Sequence, residues 1–489
     1  MMIRLRPEPT CAVLVAACAA AWMLDVSRVP AASAADALAG TELLSRPTDH
    51  SVVVHAIAAR GLTVVADYGT GSQRYDQTTA PVHVAAGDPV ELAISGLAPD
   101  TSYVYRLRVT PDDSGTTLPG AEHAFHTQRA AGSPFTFVVQ ADPHLDENSS
   151  PEVYGQALRN ELADHPDFLV DLGDASMVDK CVVAGDVTCK LQRAANYEQV
   201  AARNALLRSS VAQVGHSLPL LMVLGNHEGE AGWNETGTAA NLSLWDLRAR
   251  KFFFANPEPD GFYSGNTEVN PFVGLRQDYY AFEWGDALFV MLDPFTYTSR
   301  KPTQYTDADM WGWTLGADQY HWLERTLTTS RARYRFVFSH HMVGGAGPEA
   351  RSGAASAAGF EWGGHNIDGS WGFDTRRPGW SKPIHQLLVE HGVTAWFHGH
   401  DHVYVQETLD GVVYQEVPQP STARYDSPDL AAQYGYQGKV GVNAFPSPGH
   451  LRVEVGPTGV RVSYVRAVAP ADQTATRRNA EVVTSYEVR

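Results

Sequence analysis

The chain has 489 residues, 44 % of them apolar and 19 % charged, with a net charge of −18. That length is too great for one ordinary domain, and that composition excludes a disordered chain. The acidic balance argues against nucleic acid or an anionic membrane as a partner held by bulk electrostatics.

Residues 1–34 read as an export signal. Arg4 and Arg6 make a basic start, and "CAVLVAACAAAWML" is an apolar run of 14 residues, too short to span a membrane comfortably. "AASA" supplies small residues for cleavage after Ala34. The expected location is therefore secreted, extracellular or periplasmic. An uncleaved anchor and a lipid on Cys18, within "LVAAC", are the alternatives. Cleavage removes three arginines and two acids and leaves 34 basic and 53 acidic residues, a net charge near −19. An anionic substrate would then need a local source of positive charge. No other stretch is long and apolar enough to span a membrane.

Residues 35–130 contain short alternating runs such as "SVVVHAI", "LTVVADYG", "VELAISGL" and "SYVYRLRVT", broken by Gly, Pro, Asp and Asn. This spacing predicts an all-β sandwich. Leu97, Pro99 and Tyr103 in "LAPDTSYVYRL" resemble the tyrosine corner of fibronectin type III domains. "RAAGSP", residues 129–134, reads as a linker. From 131 to 489 the texture changes. "PFTFVVQ", "DFLVDL", "PLLMVL", "YRFVFS" and "TAWFHG" read as buried strands, alternating with helical stretches such as "SPEVYGQALRNELADH", "YEQVAARNALLRSSVAQVG" and "GADQYHWLERTLTTSRA". The alternation predicts βαβ units. Two long Gly- and aromatic-rich stretches, 229–275 and 343–380, read as lids or binding loops. The mature chain's two cysteines, Cys181 and Cys189, are expected to pair as a disulfide, since no further ligand lies nearby for a metal.

The chemistry lies just past the strands. "FTFVVQ" is followed by Asp142 and His144, "FLVDL" by Asp174, and "LLMVL" by Asn226 and His227. "RFVFS" is followed by His340 and His341, and "TAWF" by His400 and His402 in "HGHDH". Open α/β sheets build their sites beyond the carboxyl ends of strands. Any one of these groups alone reads as a turn, a cap or a solvated histidine. Five strand ends that each deliver a metal-capable side chain point to a shared site. Imidazole with carboxylate and no thiolate suits Fe, Zn or Mn. Two ions about 3.5 Å apart can polarise a phosphoryl group and hold a hydroxide. They would also supply the missing positive charge.

The series "D-x-H", "GD", "GNHE", Val337 to His340, and "GHDH" resembles the calcineurin-like metallophosphoesterases. With the sandwich ahead of it, the series resembles the purple acid phosphatase branch. The resemblance implies a four-layer α/β domain, two packed sheets flanked by helices, behind the N-terminal sandwich. It also implies a phosphomonoesterase with a binuclear metal centre. One ion would be held by Asp142, His144, Asp174 and His402, the other by Asp174, Asn226, His340 and His400. A metal-bound hydroxide would attack phosphorus, and His227 would protonate the leaving oxygen. Imidazole suits that task because it titrates near neutral pH. The chain departs from the purple enzymes at "GDASM", where Met177 stands in place of their tyrosine, and at His144, where they have glycine. Without a phenolate on iron, the protein is expected not to be purple. His341 and His365 are weaker candidates for substrate contact. Glu228 reads as a turn carboxylate, with support of the metal ligands from behind as the alternative. Phosphodiester hydrolysis by the same centre is the alternative activity. A binding protein with a retired active site is a third reading, disfavoured because every ligand position is filled.

Overall fold

The computed structural model describes residues 33–180, 192–344, 353–425, 429–436 and 439–488. Residues 1–32 of the predicted export segment, Cys18 among them, and the pair Cys181 and Cys189 lie outside the described residues.

In the strand Phe135–Gln140, alternate side chains enter two different cores. Phe137 and Val139 join one cluster with Phe289, Phe336 and Phe397, while Val138 joins another with Leu158 and Leu207. The same alternation recurs in Tyr334–Phe338, where Phe336 and Phe338 face the first cluster and Val337 packs with Leu323 and Leu387. Strands covered on both faces read as unbroken apolar runs, which explains "FTFVVQ" and "YRFVF".

Two sheets thus pack face to face. In the first, Leu220–Met222, Leu169–Asp171 and Phe135–Gln140 run parallel, and Gly449–Gly456, Gly459–Arg466 and Val482–Val488 continue it. In the second, Ala287–Met291, Tyr334–Phe338, Ala395–His398 and Val412–Glu416 run parallel at the centre. Helices Pro151–Ala163 and Tyr197–Gly215 cover the outer face of the first sheet, and Ala317–Thr329 and Ile384–Glu390 cover the second. This is the expected four-layer α/β arrangement. The helices start where capping side chains stand: Ser150 accepts from Val153 N ahead of Pro151, and Asn196 accepts from Gln199 N. The 229–275 stretch is not all loop. Asn241 caps a further helix, Leu242–Phe253, whose Leu244 and Leu247 are buried.

Ahead of these layers, strands from Leu43 to His126 form two sheets around a separate core that includes Val54, Val64, Ile94 and Leu107. The Tyr103 hydroxyl accepts from Ala98 N at 2.9 Å and closes a corner between strands. This β-rich unit meets the rest at the end of helix Tyr197–Gly215. The Tyr105 hydroxyl donates to His216 O at 2.8 Å, and Arg208 donates to His55 Nδ1 at 2.9 Å. Among the described residues, no helix is long and apolar enough to cross a membrane.

Candidate metal centre

The carboxyl ends of five parallel strands from the two sheets deliver their loops to one place. Two groups form there: Asp142, His144 and His402, and Asp174, His340 and His400, each with its ligand atoms within 4.8 Å of one another. Asp174 Oδ2 is the shared point. It lies 3.1 Å from His340 Nε2, 3.8 Å from His144 Nε2 and 4.0 Å from His227 Nε2. Asp142 Oδ1 lies 3.4 Å from His402 Nε2 and 3.6 Å from His144 Nε2. Asn226 Oδ1 and His400 Nδ1 stand 3.1 and 3.2 Å from His340 Nε2.

The backbone is strained to achieve this. Asp142, His144, Asp174, His400 and His402 all have φ between 55° and 86°. Such residues each cost on the order of 1–3 kcal/mol and collect at functional sites. Glycines let the loops touch. A Cβ on Gly225 would meet Asp174 N at 2.2 Å, and one on Gly399 would meet Asp142 Oδ2 at 2.6 Å. Glu228, buried, accepts from the backbone N–H groups of Asp174, Ala175, Ser176 and Gly225 at 2.7 to 3.0 Å. It ties the "GD" loop to the "GNHE" loop.

On five of these residues the inward-facing atom is selected by a bond on the other side. The Leu172 carbonyl lies 3.0 Å from His340 Nδ1, so Nε2 faces the cluster. Asp146 Oδ2 lies 3.3 Å from His144 Nδ1 and also accepts from Lys180 Nζ at 2.9 Å. Asp142 Oδ2 accepts from His400 N, and Asp174 Oδ1 accepts from His227 N. Asp179 Oδ1 lies 2.7 Å from His227 Nδ1. Outer partners of this kind fix tautomer and ring orientation. Neither Asp146 nor Asp179 was legible as part of the site, because a single acid in "PHLD" or "MVDK" carries no spacing signal.

The electrostatics reflect crowding. Burial would raise the Asp142 carboxyl, but the imidazoles of His340 and His402 hold it well below its ordinary range. Asp174 is likewise lowered against burial, chiefly by His340 and His227. Burial opposes charge on His144 and His340, yet the facing carboxylates lift them to about 9 and about 10. Carboxylates and imidazoles thus hold one another in their charged forms across the cluster. Asp142 Oδ1 and His144 Nε2 are buried with no hydrogen-bond partner among the described residues. Buried polar atoms of this kind need a partner. An oxygen and nitrogen donor set without thiolate fits a pair of ions of the Fe, Zn or Mn class.

His341 sits at the edge of the cluster. Its ring is 5.0 Å from His400, between Phe295 at 4.9 Å and Trp313 at 4.8 Å, and Nδ1 lies 2.8 Å from Met342 O. His365 is held within its own loop, with Nδ1 3.0 Å from Ala358 O and its ring against Trp371. Met177 is fully buried.

No curated protein matches the chain by sequence. Among solved structures, the chain is similar to PhoD, with a TM-score of 0.61 and 14 % identity over 92 % of this chain and 91 % of that one. It is also similar to the purple acid phosphatase PPD1 of yellow lupin (Lupinus luteus) seeds, with a TM-score of 0.58 and 12 % identity over 91 % of this chain and 73 % of that one. At these identities the likeness speaks for the fold. The family model for calcineurin-like phosphoesterases matches residues 135–404, more than half of the chain, and includes every loop of the two His/Asp groups. The chain belongs to the calcineurin-like phosphoesterase family and is a hydrolase of phosphoric esters.

Proposed function

We propose that this phosphoesterase is an exported, binuclear metal-dependent phosphomonoesterase. The observation that carries the reading is Asp174 Oδ2, which faces His340, His144 and His227 at once. Asp142, His144, Asp174 and His402 would hold one ion, and Asp174, Asn226, His340 and His400 the other. A pair drawn from Fe, Zn and Mn would supply Lewis-acid polarisation of the phosphoryl group and lower the pKa of water toward neutrality.

The chain's own residues do the rest. His227 presents Nε2 toward the site, with Nδ1 held by Asp179. It delivers a proton from Nε2 to the leaving oxygen as the ester P–O bond breaks and the new P–O bond to the water oxygen forms. His144 stands where the purple enzymes have glycine, and Met177 where they have tyrosine, so the iron form carries no phenolate colour. The export signal at 1–34, the sandwich at 35–130, the catalytic unit at 131–489 and the Cys181–Cys189 disulfide belong to the same reading. The acidic balance of the chain disfavours nucleic acid as a partner.

The test is hydrolysis of p-nitrophenyl phosphate beside bis-p-nitrophenyl phosphate, using protein stripped of metal and reloaded separately with Mn, Zn and Fe. Faster, metal-dependent monoester turnover supports the reading. A preference for the diester replaces it with a phosphodiesterase, and no turnover of either withdraws it.

A further inference from the structure

A cavity of about 230 Å³ adjoins the candidate centre where His144 and His402 form its wall. Its polar lining includes Asn148, Lys180, Gln419, Thr422 and Arg424, with no carboxylate side chain among the described residues. Drug-sized ligands occupy about 300–1,000 Å³, so this space suits a compact group.

The donors outnumber the acceptors. Lys180 Nζ spends one of its three hydrogens on Asp146 Oδ2. Among the described residues, the exposed Arg424 side chain makes one long hydrogen bond, 3.4 Å from Nη2 to Asn148 Oδ1. Gln419 is 4 % exposed, and its Nε2 has no hydrogen-bond partner among the described residues. A buried amide left this way calls for an acceptor. The cavity is also anchored to the centre: Ser447 Oγ accepts from Gln419 N at 2.9 Å and donates to His402 O at 2.7 Å. Two cationic side chains in one small cavity of a chain with net charge −18 are a local feature, not a bulk one. A neutral ester arm would leave these donors unanswered, whereas a phosphate or carboxylate would satisfy them with charge-assisted hydrogen bonds.

We propose that this cavity is a subsite for a second anionic group of the substrate, so that the preferred esters are compact molecules with a phosphate or carboxylate a few bonds from the scissile phosphate. The proposal rests on the phosphatase reading above. Arg424 and Gln419 bind the second group, and Lys180, which gives one hydrogen to Asp146, contributes another.

The test compares kcat/KM for 2,3-bisphosphoglycerate and glycerol 2-phosphate, with metal in excess, in the wild type, Arg424→Lys and Arg424→Glu. Arg424 is exposed, so neither change threatens the core. The wild type should favour the bisphosphate by roughly tenfold, Arg424→Lys should keep part of that preference, and Arg424→Glu should abolish or reverse it. A wild-type ratio near one, or a ratio that Arg424→Glu leaves unmoved while glycerol 2-phosphate is still hydrolysed, overturns the subsite alone. Inorganic phosphate is the second arm. If its inhibition weakens in Arg424→Glu while the substrate ratio stays fixed, the cavity holds released product and the substrate assignment fails. If the metal-loaded wild type hydrolyses neither ester, the phosphatase reading falls and the subsite with it.

Discussion

Asp179 Oδ1 lies 2.7 Å from His227 Nδ1, which leaves Nε2 as the nitrogen facing Asp174 Oδ2 at 4.0 Å. A carboxylate in that position keeps the proton-carrying nitrogen aimed into the site. His227→Ala should lower kcat by roughly 10²–10⁴-fold. The loss should be larger for an alkyl phosphate than for p-nitrophenyl phosphate, whose leaving group needs less protonation. Asp179→Asn should lower kcat by roughly 10–100-fold with KM little changed. Equal losses for both leaving groups would remove His227 from the general-acid role.

Asp174→Asn should abolish occupancy of at least one ion. Ligand binding at 100 times its Kd stabilises a fold by about 2.7 kcal/mol. Chelation should therefore lower the melting temperature of the wild type clearly and that of the variant much less. Metal content by mass spectrometry checks the same point without any assay of turnover.

Gly399→Ala places a methyl group 2.6 Å from Asp142 Oδ2 and 2.7 Å from the Ala141 Cβ. Overpacking of this kind costs about 1–3 kcal/mol. Here it also displaces a carboxylate of the site, so both folding stability and metal affinity should fall. Calorimetric unfolding and metal titration of the purified variant measure the two effects separately.

Acid should weaken the contact between the β-rich unit and the catalytic layers. Burial, reinforced by Arg208, pushes His55 down to about 3 from its ordinary 6.5. Burial and the neighbouring His216 ring push His123 down to about 4. Groups facing His123 include Glu42, 3.6 Å away. A histidine lowered in the folded state resists a proton that the unfolded chain accepts. Its cost is absent above pH 6.5 and grows as pH falls toward the folded value, by about 1.4 kcal/mol per pH unit. His55→Gln keeps an acceptor for Arg208 but cannot titrate. Its stability should decline less than that of the wild type between pH 6.5 and 4. Parallel curves in denaturant titrations would contradict the assignment.

Much of this was legible in the sequence because strands buried on both faces announce themselves as apolar runs, and the residues after them sit where a parallel sheet ends. Asp142, Asp174 and His400 were readable for that reason. The helix Leu242–Phe253 was hidden inside a Gly- and aromatic-rich stretch, although Asn241 and the spacing of Leu244 and Leu247 mark its start. Asp146 and Asp179 could not be found, since their meaning comes from a histidine reached only through the fold. The cavity beside His402 is formed by Lys180, Gln419 and Arg424, which segments far apart in the chain bring together. Tertiary convergence of that sort has no local pattern.

The most direct test of the binuclear reading is titration of metal-stripped protein with Zn or Mn, following bound metal and turnover of p-nitrophenyl phosphate together. Two ions per chain, with turnover appearing as the second binds, is the expected result. Full turnover with one ion per chain, or turnover that survives complete stripping, would contradict the account.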